Sequence, residues 1–250
     1  MEKSSEIMNL EKDLVKYKEE NKSQAEFISM IIHQLRTPLA GTKWTFKMLL
    51  DGDLGSFNDE QKQIIQKGYE KNEQIIKLLE EVTVANQNNS WDFQYDFKLT
   101  SIEPILESII ANFLEEARFK LVSIVLEHPA SSIPHVMADA EKLSIVFQNL
   151  IENGIKYNFE NGTLKIILIL ENDYLLIRFF DTGIGIDTED KDKIFTEFFR
   201  TEAAKKHSLE GTGLGLFTAK KIIERHNGEI WFENEAPKGT TFYVKLPLSK

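Results

Sequence analysis

Phe27-Ile28-Ser29-Met30-Ile31-Ile32-His33-Gln34-Leu35-Arg36-Thr37-Pro38-Leu39 decides how the first third of this chain folds. Apolar residues at 28, 31, 32, 35 and 39 recur at three- and four-residue spacings, which line one face of a helix. His33 falls off that stripe, and Thr37, one turn later, shares its exposed side. Pro38 removes the backbone bond to the carbonyl of Gln34, which predicts a bend just after the histidine. By itself the stretch holds one more surface histidine beside a kink.

Upstream, residues 6–26 are charged, with Leu10, Leu14 and Tyr17 at helical spacing. Residues 1–21 therefore read as a coiled-coil lead-in helix to a unit spanning 22–90. Downstream, the histidine helix continues past Phe46, Leu49 and Leu50, and Asp51-Gly52-Asp53-Leu54-Gly55-Ser56 stops it. Asn58 and Gln61 stand in the capping-box spacing that starts a second helix, expected to run to about Gln87. Ile65, Ile75, Ile76, Leu79 and Val82 form its stripe, which Gly68 and Asn72 interrupt in a way that suits close helix packing. A two-helix hairpin buries little, so its stripes are expected to meet a second copy in a dimeric four-helix bundle. A docked second domain is the other way to cover them.

Composition narrows the classes. A net charge of −10 and a pI near 5.1 argue against a nucleic-acid partner. With no cysteine, disulfides and thiolate metal sites are excluded, and the five scattered histidines form no ligand set. No run approaches the roughly 18 apolar residues of a membrane span, and the N-terminus lacks a signal-peptide core. A cytoplasmic location is the expectation, with a membrane anchor left open only for sequence upstream.

Asn86-Gln87-Asn88-Asn89-Ser90 marks a boundary by composition, and 91–250 reads as an α+β domain. Phe93, Tyr95 and Phe97 alternate as a half-buried strand would. Pro104 lies in the first turn of a helix begun at Ser101. Strands are expected near 122–127, 135–138, 163–170, 174–180, 228–234 and 240–247, and helices at 139–157 and 214–226. That is a mixed sheet with helices on one face.

Four stretches of this domain carry chemistry. In Asn149-Leu150-Ile151-Glu152-Asn153-Gly154-Ile155-Lys156-Tyr157, two asparagines four apart share a helix face and offer neutral oxygens suited to a hard divalent cation. Lys156 suits a phosphate as a point charge. Asp181-Thr182-Gly183-Ile184-Gly185-Ile186 follows an apolar strand; its glycines allow close approach, and Asp181 can accept from an amino group. Ile194-Phe195-Thr196-Glu197-Phe198-Phe199-Arg200 places a guanidinium beside aromatic anchors. Gly211-Thr212-Gly213-Leu214-Gly215-Leu216 opens a helix with glycine-rich backbone, an arrangement that receives anions. Residues 187–210 between them are polar and charged, as expected of a lid.

Together and in this order, the stretches make the chain resemble a two-component sensor histidine kinase from residue 22 to residue 248. The opening stretch resembles the family's H box, and the four stretches its N, G1, F and G2 boxes. The resemblance implies a dimeric all-α hairpin followed by an α+β sandwich ATP-binding domain of the histidine kinase (GHKL) type. His33 would be the phosphoacceptor, Thr37 would orient water for dephosphorylating the partner, and Arg200 would reach the γ-phosphate. Asn149, Asn153, Lys156, Tyr157, Asp181, Gly183, Gly185, Gly211, Thr212, Gly213, Leu214 and Gly215 would bind ATP, with Asn153 ligating Mg2+. The implied partners are a response-regulator receiver domain, a second copy of the chain, and an upstream sensor domain or sensory partner.

Three positions depart from the family pattern. Gln34 stands where an acid usually follows the histidine, Gly154 where alanine is usual, and Glu210 where glycine is frequent. Gln34 puts a general-base role in doubt and keeps open a different reading, a nucleotide-binding dimeric scaffold with weak kinase activity. An ATPase or chaperone of the wider superfamily is the third reading.

Overall fold

The computed structural model describes residues 28, 30–89, 95–129, 133–208, 211–234 and 239–249. The lead-in helix expected at 1–21, together with Phe27, Ser29, Phe93 and Glu210, lies outside the described residues. Contacts divide the chain into two units, Met1–Phe93 and Gln94–Lys250.

In the first unit, helix α1 (residues 30–51) runs uninterrupted through Pro38, so the proline removes one bond without ending the helix. Its end is built as expected. Gly52 takes φ +83, with Gly52 N donating to Leu49 O and Asp53 N to Met48 O, the two bonds of a Schellman cap. Helix α2 (Asp59–Asn89) begins in a reciprocal capping box: Gln61 N donates to Asn58 Oδ1 at 2.8 Å, and Asn58 N donates to Gln61 Oε1 at 3.0 Å. The helix continues two residues beyond its expected end, through the asparagine-rich stretch.

Three contacts pin α1 to α2. A Cβ at Gly68 would fall 2.7 Å from two ring atoms of Phe46, so glycine there lets the aromatic ring lie against the helix backbone. Lys43 Nζ meets both carboxylate oxygens of Glu73, at 2.9 and 3.0 Å. Asn72, 4% exposed, donates from Nδ2 to the carbonyl of Leu39 at 3.0 Å. The predicted stripe is only partly covered within one chain. Ile32 is buried, but Ile31 and Leu35 are 37% and 44% exposed, and Met30, beside the stripe, is 50% exposed.

The second unit contains a five-stranded sheet in the order β2-β4-β5-β7-β6. Its strands are β2 (Ser123–Glu127), β4 (Thr163–Glu171), β5 (Tyr174–Asp181), β6 (Glu229–Asn234) and β7 (Thr240–Pro247). β2 and β4 pair in parallel and the other neighbours antiparallel. A separate two-stranded ladder joins β1 (Lys98–Thr100) to β3 (Val136–Ala138). Alternation decides which face is core: Leu164, Ile166 and Leu168 of β4 and Leu175, Ile177 and Phe179 of β5 are buried. They join one cluster with helices α3 (Ile102–Phe119), α4 (Ala140–Lys156) and α6 (Gly215–Arg225). Phe147 of α4 and Phe179 of β5 meet there with ring centroids 6.0 Å apart.

Of the strand expected from Phe93, Tyr95 and Phe97, the described residues 95–97 form no part; pairing among the described residues starts at Lys98. Asp96 N donates to Asp139 Oδ2 instead of to a ladder partner. The rings of Tyr95 and Phe97 pack on buried His226, at 5.6 and 5.0 Å between centroids. Tyr95 is half-buried while Phe97 stays 40% exposed, so the alternation marks a contact with a side chain rather than a half-buried strand. His226 Nε2 accepts from Asp139 N at 3.0 Å, so the other ring nitrogen, 2.8 Å from Ile222 O, carries the proton. Burial lowers the pKa of this ring and keeps it neutral.

Candidate functional site

On α1, His33, Gln34, Arg36 and Thr37 are all exposed. Helix geometry places His33 and Thr37 one turn apart on one side, open to a reacting partner.

In the second unit, the Asp139 carboxylate caps α4 by accepting from Lys142 N at 3.1 Å. The helix carries Asn149 and Asn153, both half-buried, and ends at Lys156, with Tyr157 as its C-cap. Asn149 Nδ2 donates to Ile145 O at 3.0 Å, while its Oδ1 lies 2.6 Å from where a Cβ on Gly215 would stand. Gly215, the first residue of α6, therefore lets the start of that helix close on the asparagine.

Asp181 ends β5 and is 8% exposed. Its Oδ1 accepts from Gly183 N at 2.8 Å. Desolvation pushes the carboxyl up to about 6, against the opposing effect of backbone bonds from Gly183 and Thr240. Gly183 is dictated by space, since a Cβ would fall 2.3 Å from Tyr157 O. Ile184 N donates to that same carbonyl at 3.1 Å, so the end of α4 and the turn after β5 are one structure. Gly185 takes φ +75.

The segment expected as a lid has regular structure in its described part. A 3-10 turn spans Thr188–Asp190, and α5 spans Glu202–His207, capped by Thr201 Oγ1 accepting from Ala204 N at 3.0 Å. Arg200 Nη2 donates to Ser208 O at 2.6 Å and Ala204 O at 3.3 Å, closing the far end of α5. His207 reaches α4's end, its ring 6.2 Å from Tyr157 and 6.3 Å from Phe159.

The phenylalanine and final glycine stretches interlock backbone to backbone. Phe198 is 65% exposed and holds φ +61, and a Cβ on Gly213 would come within 2.5 Å of its carbonyl carbon. Gly211, at φ +121, is where the cations meet: both Arg200 Nε, at 3.4 Å, and Lys156 Nζ, at 3.5 Å, approach its ideal Cβ position. Thr212 Oγ1 accepts from Leu214 N at 3.1 Å, and Leu214 is buried.

The fold thus gathers Asn149 with Gly215, Lys156 with Arg200 at Gly211, and Asp181 with Gly183 beneath Tyr157. Sequence reading passed over Asn158, Thr182 and His207. Asn158 sits next to a stretch already singled out, and its small polar side chain just past a helix end was the available signal. Among the described residues no cluster of three or more His, Asp or Glu could hold a metal. A cation in this domain would draw on neutral oxygen such as that of Asn153, completed by phosphate and water, which suits Mg2+.

A twisted sheet backed by helices on one face, with a glycine-rich helix start and a buried acid at a strand end, defines a nucleotide-binding fold of one kind. The family model "Histidine kinase-, DNA gyrase B-, and HSP90-like ATPase" matches residues 138–250, and "His Kinase A (phospho-acceptor) domain" matches residues 23–89. The Bacillus subtilis protein called "Sensor histidine kinase WalK" is 30% identical over 240 residues, covering 95% of this chain and 39% of its own length. A Staphylococcus aureus "Sensor protein kinase WalK" is 28% identical, covering 94% of this chain and 56% of its own. Among solved structures, the catalytic domain of histidine kinase ThkA is 29% identical with a TM-score of 0.55, covering 62% of this chain and 99% of that one. Full-length ShkA, solved with AMPPNP, has the same fold at a TM-score of 0.76 and 20% identity, covering 90% of this chain and 46% of that one. The chain belongs to the two-component sensor histidine kinases, and corresponds to their catalytic core. It spans 39% and 56% of the length of these two curated relatives. No helix among the described residues is long and apolar enough to cross a membrane.

Proposed function

We propose that this chain phosphorylates its own His33 from ATP and passes the phosphoryl group to an aspartate in the receiver domain of a response regulator. The meeting of Lys156 and Arg200 at Gly211 carries the reading, because two cations beside a glycine-rich helix start match a triphosphate. Asp181 accepts from the adenine amino group, Gly183 and Gly185 shape the base pocket, and Tyr157 borders the nucleoside. The backbone of Gly211, Thr212, Gly213, Leu214 and Gly215 wraps the phosphates. Asn153 would hold Mg2+ through its amide oxygen, with Asn149 one turn earlier on the same helix face supporting the triphosphate side. The ion, when bound, offsets charge on the phosphate oxygens.

A lone pair on an imidazole nitrogen of His33 attacks the γ-phosphorus. The bond from phosphorus to the β–γ bridging oxygen breaks, ADP departs with that electron pair, and the displaced ring proton passes to water. Gln34 can orient the ring but has no basic site for this proton. Thr37 orients water for removing phosphate from the regulator. The exposed Met30, Ile31 and Leu35 support a dimer of hairpins. The core works in the cytoplasm, and its input comes from an upstream sensor domain or a sensory partner.

Gln34 favours one other reading, a dimeric scaffold that binds nucleotide and transfers little phosphate. Incubation with γ-labelled ATP and Mg2+, comparing wild type with His33→Gln, separates the two. Acid-labile label lost in the variant supports the kinase; unlabelled protein that still binds nucleotide supports the scaffold. Release of free phosphate without label would point to a simple ATPase.

A further inference from the structure

Asn158 is 7% exposed and uses its whole hydrogen-bonding capacity inside the protein. Nδ2 donates to Gly154 O at 2.9 Å and Thr163 O at 3.1 Å; Oδ1 accepts from Thr182 Oγ1 at 3.0 Å and Phe159 N at 3.0 Å. The hydroxyl of Thr182 in turn accepts from Thr163 N at 2.9 Å. Gly162 makes room for the amide, since a Cβ there would lie 2.1 Å from Asn158 Oδ1.

This network joins three places otherwise distant in the chain. Gly154 directly follows Asn153 and lies within a turn of Lys156 on α4; Thr163 begins β4; Thr182 stands between Asp181 and Gly183. One end therefore belongs to the phosphate and cation side of the proposed site and the other to its adenine side. Thr182 N donates to Thr163 O at 3.2 Å, so both the backbone and the hydroxyl of Thr182 are tied to the same residue.

We infer that Asn158 and Thr182 are positioning residues that set the spacing between the adenine contact and the triphosphate contacts, so that the two halves of ATP are held at once. The inference rests on the nucleotide reading above. Neither residue needs to touch ATP. A ligand with two anchored ends gains from the second anchor only when the spacing is held, because that gain is entropy already spent in folding. A looser spacing leaves each subsite intact and removes the advantage of joining them.

The experiment compares wild type, Thr182→Val, Thr182→Ala and Thr182→Ser in the full chain, with ATP·Mg, adenosine, and Mg-tripolyphosphate as separate ligands followed by NMR titration. In the valine and alanine variants ATP affinity falls about tenfold or more, while adenosine and tripolyphosphate each bind as in wild type. Serine restores ATP binding because it keeps the hydroxyl. Equal losses for all three ligands, or no loss for ATP, would overturn the inference. So would failure of both the valine and alanine variants to fold while serine folds, which would assign the bonds to stability alone. Wild type that binds no ATP·Mg would instead overturn the nucleotide reading itself.

Discussion

The side-chain amide of Asn72 donates to the carbonyl of Leu39 at 3.0 Å across the two helices of the hairpin, from a position 4% exposed. One residue further along α2, Glu73 grips Lys43, and one turn earlier Gly68 receives the ring of Phe46. These contacts fix the register of α2 against the part of α1 just beyond His33 and Thr37. Asn72→Ala removes the donor and should destabilise the hairpin by about 1–3 kcal/mol. Thermal unfolding of the full chain followed by far-UV circular dichroism checks this; an unchanged profile would show that the bond contributes nothing net.

Asp181 gives a pH dependence with two opposite signs. Its folded value of about 6 lies above the ordinary 3.8 because burial disfavours the charge. The contribution of this group to folding stability is therefore fully present below about 3.8 and lost as pH rises through about 6. Nucleotide binding runs the other way, since only the ionised carboxylate is a pure acceptor for an amino group. ATP affinity should drop about tenfold from pH 7.5 to pH 5, in proportion to the ionised fraction. Asp181→Asn should flatten that profile, weaken binding at pH 7.5, and raise the stability of the nucleotide-free protein at pH 8 by up to roughly 3 kcal/mol. Calorimetric titration and thermal melts across pH read both effects.

Gly154 of α4 is buried, and Leu164 of β4 occupies the space beside it. A Cβ on Gly154 would meet Leu164 Cδ1 at 2.6 Å. Alanine gains about 1 kcal/mol of helix propensity but displaces a fully buried leucine, and overpacking costs typically about 1–3 kcal/mol. Gly154→Ala should therefore be neutral to destabilising alone. Combined with Leu164→Val it should be more stable than Leu164→Val by itself, a non-additivity that a double-mutant cycle in urea measures.

Gln34→Glu supplies a basic oxygen beside His33 on an exposed helix face. The initial rate of ATP-dependent labelling should rise, by up to about 10²-fold if the new carboxylate reaches the ring proton. The comparison is made at saturating ATP, where binding does not enter. An equal or lower rate would show that proton removal does not limit transfer.

Much of the architecture was legible beforehand because its causes are local. The Asn58/Gln61 box, the Gly52 cap and the α4 boundaries each rest on residues within one or two turns of each other. The strands expected at 163–170, 174–180 and 240–247 were visible in their apolar runs and in the polar break at Glu171-Asn172-Asp173. The strand expected around Tyr95 and Phe97 failed for the complementary reason. Alternation does not say what the side chains meet, and here Tyr95 and Phe97 meet the ring of His226, with Phe97 still 40% exposed.

The sequence by itself determined the helical hairpin, the α+β domain and the order of the stretches that mark the family, since each depends on spacing along the chain. Only the tertiary structure decided which of those stretches touch. It brought Lys156 and Arg200 to Gly211, closed Gly213 on the backbone of Phe198, filled the space over Gly154 with Leu164, and tied Asn158 to Thr182. Such contacts join residues tens of positions apart and turn on a few tenths of an ångström of close approach. The raised Asp181 carboxyl has the same origin, because desolvation belongs to everything packed around a group and to none of its neighbours in sequence.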